Sequence, residues 1–236
     1  WGENEENFEK IAKVLELAGD LEGFKDYILN NDLINIVVPE GSLLNYAITE
    51  GKEKEALWLI ENGIDINAFD GLELMTAIKK NNNIIAKKLI DATYDIIPAI
   101  KPQLAYFEMM GPNGLDAFQE IVDYAKSKDL IVIADAKRGD IGTTSQGYAN
   151  TFLGETSLDD YKEKIYDADF VTVNPYMGTD CVKPFIEDSK KYGKGVFVLV
   201  KTSNKSSGEL QDLKLENGNK VYEQVATLVE EWGKDL

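Results

Sequence analysis

Asp135-Ala136-Lys137-Arg138-Gly139-Asp140 sets an ammonium between two carboxylates, directly after the apolar run Ile131-Val132-Ile133-Ala134. Four apolar residues in a row read as a strand buried on both faces, as in a parallel sheet. Side chains alternate along a strand, so Asp135 and Lys137 are expected on one side at its C-terminal end. α/β enzymes collect their chemistry at that end. A charge cluster closing a strand is, in general, more often a solvated terminus. Here the desolvation of a lysine between two carboxylates at the mouth of an apolar strand is too costly for decoration, so the pattern favours a site. Gly139 is expected to loosen the backbone just ahead of Asp140.

Composition narrows the chemistry. The sequence has no histidine, which removes histidine-based triads, HExxH zinc sites and imidazole acid–base catalysis. Its single cysteine, Cys181, excludes an internal disulfide, argues against a structural zinc site and suits a reducing, cytoplasmic compartment. A formal net charge of −17 argues against non-specific binding to nucleic acid or anionic membranes. An anionic substrate would therefore have to be drawn in by a local cluster of cations. No apolar run approaches the length of a membrane span, and the acidic opening after Trp1-Gly2 lacks the pattern of a signal peptide.

The elements expected to position these residues lie in the second part of the chain, from about residue 91. Strand-like runs at Ile96–Ile100, Leu130–Ala134, Phe170–Val173 and Val196–Val200 alternate with helical candidates near 114–128, 143–153, 158–166, 179–192 and 219–235. Regular alternation of strand and helix predicts right-handed βαβ units and a parallel sheet. Each strand ends in polar residues: Lys101-Pro102-Gln103, Asp135-Ala136-Lys137, Asn174-Pro175-Tyr176 and Lys201-Thr202-Ser203-Asn204. Polar groups gathered on successive strand ends are the arrangement of a (β/α)8 barrel.

Residues 1–90 read differently. Gly41-Ser42-Leu43-Leu44-Asn45-Tyr46-Ala47-Ile48 and Gly71-Leu72-Glu73-Leu74-Met75-Thr76-Ala77-Ile78 match at an offset of 30, and the match continues through Ala56 and Ala86, then Leu59-Ile60 and Leu89-Ile90. A weaker copy ends at Asn35, comparable to the stretch ending Asn62-Gly63-Ile64-Asp65-Ile66-Asn67. Period, small alanines and the Asn-Gly turn resemble degenerate ankyrin repeats, an all-α segment whose apolar faces need neighbouring repeats. Such a segment implies either a protein partner or a structural appendage.

The motifs of the second part, taken together, resemble one family. Asp91-Ala92-Thr93-Tyr94-Asp95, Lys101-Pro102-Gln103-Leu104-Ala105-Tyr106, Ile133 to Ile141, Val173-Asn174-Pro175-Tyr176-Met177-Gly178 and Val200-Lys201-Thr202-Ser203-Asn204 look like orotidine 5′-phosphate decarboxylase of the longer bacterial type. The resemblance implies a (β/α)8 barrel that converts orotidine monophosphate to uridine monophosphate, in pyrimidine biosynthesis, with neither metal nor organic cofactor. It makes Lys101, Asp135, Lys137 and Asp140 an alternating-charge catalytic array. Lys137 would protonate the carbon that loses carbon dioxide. Asp135 and Asp140 would keep that lysine charged and crowd the substrate carboxylate, with Lys101 balancing and positioning them. Ser203 would hydrogen-bond the pyrimidine, with Asn174 and Thr202 as further substrate contacts. Asp140 would reach the neighbouring site of a homodimer. Lys201 stands where many relatives carry arginine.

Two family features are expected to be missing: a first strand bearing Gly-Leu-Asp, and the later strands whose Gly-rich and arginine elements hold the phosphate. The expectation is therefore about half a barrel, from 91 to 236, behind ankyrin-like repeats over 1–90. The alternatives are an ankyrin-type protein-binding module, or a recombined or engineered chimera without catalytic activity. A nucleotide ligand distinguishes the first reading from both.

Overall fold

The computed structural model describes residues 9–14, 16–17, 19–38, 41–66, 73, 76–77, 80 and 82–234. These fall into two compact units, one gathering residues up to Pro98 with Tyr106–Tyr124, the other Ala99–Ala105 with the residues from Ala125 onward.

The first unit is built of short capped helices. They are α1 (Leu21–Asn30), a two-residue hairpin β1 (Val37–Val38) and β2 (Gly41–Ser42), α2 (Leu43–Thr49), α3 (Glu53–Glu61) and α4 (Asn83–Asp91). Asp20, Ser42 and Asn82 cap α1, α2 and α4 by accepting from backbone N–H groups of the first turn, which satisfies donors the helix leaves open. Apolar residues at helical spacing turn inward: Phe24 and Ile28 on α1, Ala56 and Leu59 on α3, and Ile85, Ala86, Leu89 and Ile90 on α4. Four side-chain hydrogen bonds join positions 29 to 31 residues apart. Asn35 accepts from the Asp65 N–H at 2.7 Å, Ser42 donates to Glu73 at 2.7 Å, Thr76 to Asn45 at 2.8 Å, and Asn82 to Glu53 at 2.8 Å. The repeat copy Gly71–Ile78 lies largely outside the described residues; Glu73, Thr76 and Ala77 belong to it.

The chain continues through β3 (Ala99–Ile100), α5 (Ala105–Glu108), α6 (Pro112–Ser127), β4 (Ile131–Arg138), α7 (Gly142–Phe152), β5 (Thr156–Leu158), β6 (Tyr161–Glu163), β7 (Phe170–Val173), α8 (Thr179–Tyr192), β8 (Gly195–Val198), α9 (Gly208–Gln211) and α10 (Val221–Trp232). Strands β3, β4, β7 and β8 form one parallel sheet in that order, each new strand adding beside the last. Val132, Ala134, Val171 and Val173 point to one face and are fully buried, toward the side of α7 and α8. Ile133, Asp135, Phe170, Thr172 and Phe197 occupy the other face, following the registers Ile133 to Phe170 and Thr172 to Phe197.

One expected element is wrong. The stretch read as a helix near 158–166 instead holds the antiparallel hairpin β5–β6, with Leu158 opposite Tyr161. Two residues, Asp159 and Asp160, close it, and Asp159 takes φ +51°. A short polar side chain tolerates that left-handed turn, and Thr156 and Tyr161 favour extended backbone, so local turn chemistry overrides a weak helical pattern.

Asp167 clasps the end of the sheet opposite the polar strand ends. Its carboxylate meets Lys126 at 2.6 Å, Lys194 at 2.9 Å and Lys164 at 3.2 Å. Burial pushes this carboxyl up, but the three lysines outweigh it and hold it at about 2. A depressed folded-state value stabilises the fold above the ordinary carboxylate range, and that contribution is lost as pH falls through about 2. Asp167→Asn, which keeps a residue tolerant of φ +46°, is therefore expected to cost roughly 1–2 kcal/mol at neutral pH. In urea unfolding the gap from the unsubstituted protein should close as pH is lowered from about 4 to about 2.

Candidate active site

Asp135 is the centre of the polar cluster at the C-terminal end of the sheet. Only 4% exposed, it has both carboxylate oxygens filled. Oδ1 accepts from Lys137 Nζ at 2.5 Å and Thr172 Oγ1 at 3.0 Å; Oδ2 accepts from Lys101 Nζ at 2.6 Å and Gln103 Nε2 at 3.0 Å. Burial pushes this carboxyl up, yet hydrogen bonds from Lys101, Lys137 and Thr172 together hold it below the usual range. It is thus a fixed negative charge with four donors. The lysine side chains it anchors are half exposed, 55% for Lys101 and 45% for Lys137, so their cationic ends remain available to an anion.

The backbone around Asp135 is fixed from β3. Its N–H donates to Pro102 O at 3.1 Å and its carbonyl accepts from Leu104 N–H at 3.2 Å, which extends the β3–β4 pairing to Gln103. Lys101 and Gln103, two apart, therefore reach the same carboxylate.

Lys137 arrives by a different route from regular strand alternation. Ala134 pairs with Val171 and Arg138 with Val173, so Asp135, Ala136 and Lys137 all stand against Thr172. Such a bulge re-aims a side chain. Lys137 itself takes φ +49°, a left-handed conformation that costs energy in a residue with a Cβ and that marks functional sites. Thr172, 8% exposed, closes the bulge by accepting the Lys137 N–H at 2.9 Å while donating to Asp135. Asp135 and Lys137 do meet, but through this distortion.

Gly139 differs in cause from the expectation as well. Its φ is not left-handed; a Cβ there would stand 2.5 Å from the Asn174 carbonyl oxygen and 3.2 Å from Cys181 Sγ. The loops after β4 and β7 touch at this point, where Asn174 N–H also donates to Arg138 O at 2.7 Å. Gly139→Ala is expected to destabilise the protein by about 1–3 kcal/mol, since backbone rather than a movable side chain must give way. A thermal melt checks it.

The remaining expected residues lie around this centre rather than in it. Asp140 accepts from the N–H of Ile141 at 2.7 Å. Asn174 is exposed, and its side chain accepts from Tyr176 N–H at 3.1 Å across Pro175. Beyond β8, Thr202 is clamped by Gln211, which accepts its N–H at 2.9 Å and donates to its hydroxyl at 2.7 Å, and Thr202 donates to Asn204 at 2.7 Å. Ser203 is exposed on the same loop. Lys201 pairs with Asp212 at 2.6 Å. Sequence reasoning missed Thr172 and Gln103 as parts of the cluster. Their signals were a lone polar residue in the strand Phe170–Val173, and the i, i+2 spacing of Gln103 from Lys101.

The model of the orotidine 5′-phosphate decarboxylase / HUMPS family matches residues 71–234. The chain belongs to this family. Its match begins inside the stretch that also carries the repeat pattern. A decarboxylase of that name from Caldicellulosiruptor saccharolyticus is 37% identical over 203 residues, 86% of this chain and 65% of the relative. The Caldicellulosiruptor bescii protein of the same name is 43% identical over 149 residues, 63% of this chain and 48% of its own length. The solved Leishmania donovani OMP decarboxylase superposes with a TM-score of 0.54 at 35% identity, over 69% of this chain and 57% of that one. The chain therefore spans about half to two thirds of the length of these relatives, and its α/β fold with a parallel sheet is of their TIM-barrel type.

Proposed function

We propose that this chain carries the charge array of a cofactor-free decarboxylase acting on orotidine monophosphate, in pyrimidine nucleotide biosynthesis. The observation that supports it most is Asp135, buried and bonded at once to Lys101 and Lys137 at the C-terminal end of the parallel sheet. In this reading the bond from the pyrimidine to the carboxylate breaks, carbon dioxide departs, and the electron pair stays on the ring carbon. The Lys137 ammonium delivers its proton to that carbon, giving uridine monophosphate. A carbanion with little stabilisation of its own needs a cation already in place, and a lysine anchored by a fixed carboxylate supplies one without reorganisation. Asp135 also sets a negative charge near the substrate carboxylate, which is relieved when carbon dioxide leaves. Asp140 of a second copy would complete the array, making the working form a dimer. Ser203, Asn174 and Thr202 are the pyrimidine-side contacts of the proposal. Among the described residues no helix is long and apolar enough to cross a membrane; a cytoplasmic location is part of the proposal and is supported by the buried thiol of Cys181.

Two measurements test it. Incubation with orotidine monophosphate should lower the absorbance of the substrate, and 6-azauridine monophosphate should raise the melting temperature of the chain. Absence of both would remove the decarboxylase reading.

A second reading concerns the first unit. The hydrogen bonds between positions 29 to 31 residues apart support a stacked repeat of ankyrin type over 1–90, ahead of the barrel segment over 91–236. Such a repeat would present a surface to a protein partner. Pull-down of a partner that depends on residues 20–80 and is indifferent to Lys137→Ala would support that module as the chain's principal activity.

A further inference from the structure

The peptide that carries two of the proposed pyrimidine contacts, Thr202 and Ser203, has left the sheet before it reaches them. Leu199 N–H donates to Val173 O at 2.9 Å, and among the described residues this is the last backbone bond from the stretch after β8 to β7. The direction of residues 202–204 must therefore be fixed by something other than strand pairing. Ser203 does not fix it. It is exposed, and among the described residues neither its N–H nor its hydroxyl takes a protein partner.

Two contacts close the loop Thr202–Gln211 at its neck. The outer one is ionic: Lys201 Nζ meets Asp212 at 2.6 Å, with Lys220 Nζ on the other carboxylate oxygen at 3.1 Å. All three side chains are more than a third exposed, and water and salt screen a pair of that kind. The inner contact is neutral and half-buried. Gln211, nine positions from Thr202, accepts its N–H through Oε1 at 2.9 Å and donates Nε2–H to its Oγ1 at 2.7 Å. A side-chain amide accepts and donates side by side, so it stands in for the neighbouring strand that Thr202 lacks. A carboxylate of the same reach has no hydrogen to give the hydroxyl. The Thr202 hydroxyl also donates to Asn204 at 2.7 Å. Ser203 thus stands between two braced residues, and the brace begins at Gln211.

We infer that Gln211 is a positioning residue for the pyrimidine: through Thr202 it fixes the peptide that presents Ser203, without itself touching the substrate. This role rests on the assignment of Ser203 and Thr202 to the ring. Without the amide clamp, the loop has to be ordered each time a ligand binds. That cost falls on every ligand that uses the ring and on none that lacks it.

Two substitutions test it. Gln211→Met keeps the length and helix-forming tendency of the side chain but removes both bonds, whereas Gln211→Glu keeps the acceptor for the Thr202 N–H. In the methionine variant the Kd of 6-azauridine monophosphate should rise about tenfold, while that of ribose 5-phosphate, which has no ring, should stay the same. Hydrogen exchange at the Thr202 amide should accelerate, and the melting temperature should fall by no more than about 2–4 °C. The glutamate variant should keep that amide slow and recover most of the affinity. Unchanged affinity for 6-azauridine monophosphate in the methionine variant would overturn the role of Gln211. So would an equal loss for ribose 5-phosphate, or a loss that glutamate does not recover, since either marks a merely structural contact. If the unsubstituted chain itself binds no 6-azauridine monophosphate, the assignment of Ser203 to a pyrimidine fails, and the role of Gln211 falls with it. If the unsubstituted chain binds and the methionine variant binds as well, only the role of Gln211 falls.

Discussion

Lys137→Ala is expected to lower kcat/KM for orotidine monophosphate about a thousandfold or more. The magnitude follows from what is removed: the proposed proton donor and the cation facing the developing carbanion are the same ammonium. Folding should change little. The lysine side chain is 45% exposed, and Asp135 keeps Lys101, Gln103 and Thr172 as donors, so unfolding in urea should move by about 1 kcal/mol or less. Binding of 6-azauridine monophosphate should weaken far less than turnover, because a proton donor matters most in the transition state. Unchanged turnover in this variant would remove Lys137 from the reaction. Equal loss of turnover and stability would reduce it to a structural ion pair.

Legibility differed between chain segments for physical reasons. The strands were readable as uninterrupted apolar runs, and Phe170–Val173 matches its observed bounds. The expected burial of Ile131–Ala134 on both faces is not met: Val132 and Ala134 are buried while Ile131 is 42% exposed. The helix over 179–192 was equally clear, since its apolar face repeats at 3.6 residues. The hairpin β5–β6 was hidden because its eight residues lack both signals and depend on a left-handed Asp159. At the site, Lys101, Asp135 and Lys137 were legible as a charge pattern, and the structure places each lysine within 2.6 Å of an Asp135 carboxylate oxygen. The bulge at Lys137 was not legible. It depends on three residues of β4 facing one of β7, a long-range pairing that no local pattern in Asp135-Ala136-Lys137 announces. The threonine that closes it lies 35 residues away in sequence.

That threonine carries the remaining large effect. Thr172→Val keeps the shape and β-branching of the side chain but removes the acceptor for the Lys137 N–H and the donor to Asp135 Oδ1. The Lys137 N–H then loses its partner in a partly buried bond, at a cost of about 1 kcal/mol, and the left-handed bulge loses what closes it. Serine retains both hydrogen bonds. If Thr172 acts through Lys137, Thr172→Val should cut kcat about tenfold to a hundredfold with a smaller change in KM, and Thr172→Ser should recover most of it. A merely structural role predicts something else: both variants losing melting temperature in proportion to the methyl or hydroxyl removed, with the activity of the folded fraction unchanged. Hydrogen exchange at the Lys137 amide supplies a readout independent of turnover. It should accelerate in the valine variant and stay slow in the serine variant, because only the valine opens the bond that holds φ at +49°. The position of the ammonium is in this way a property of β7 as much as of β4. A strand whose sequence carries no charge decides where the charge of the next strand points.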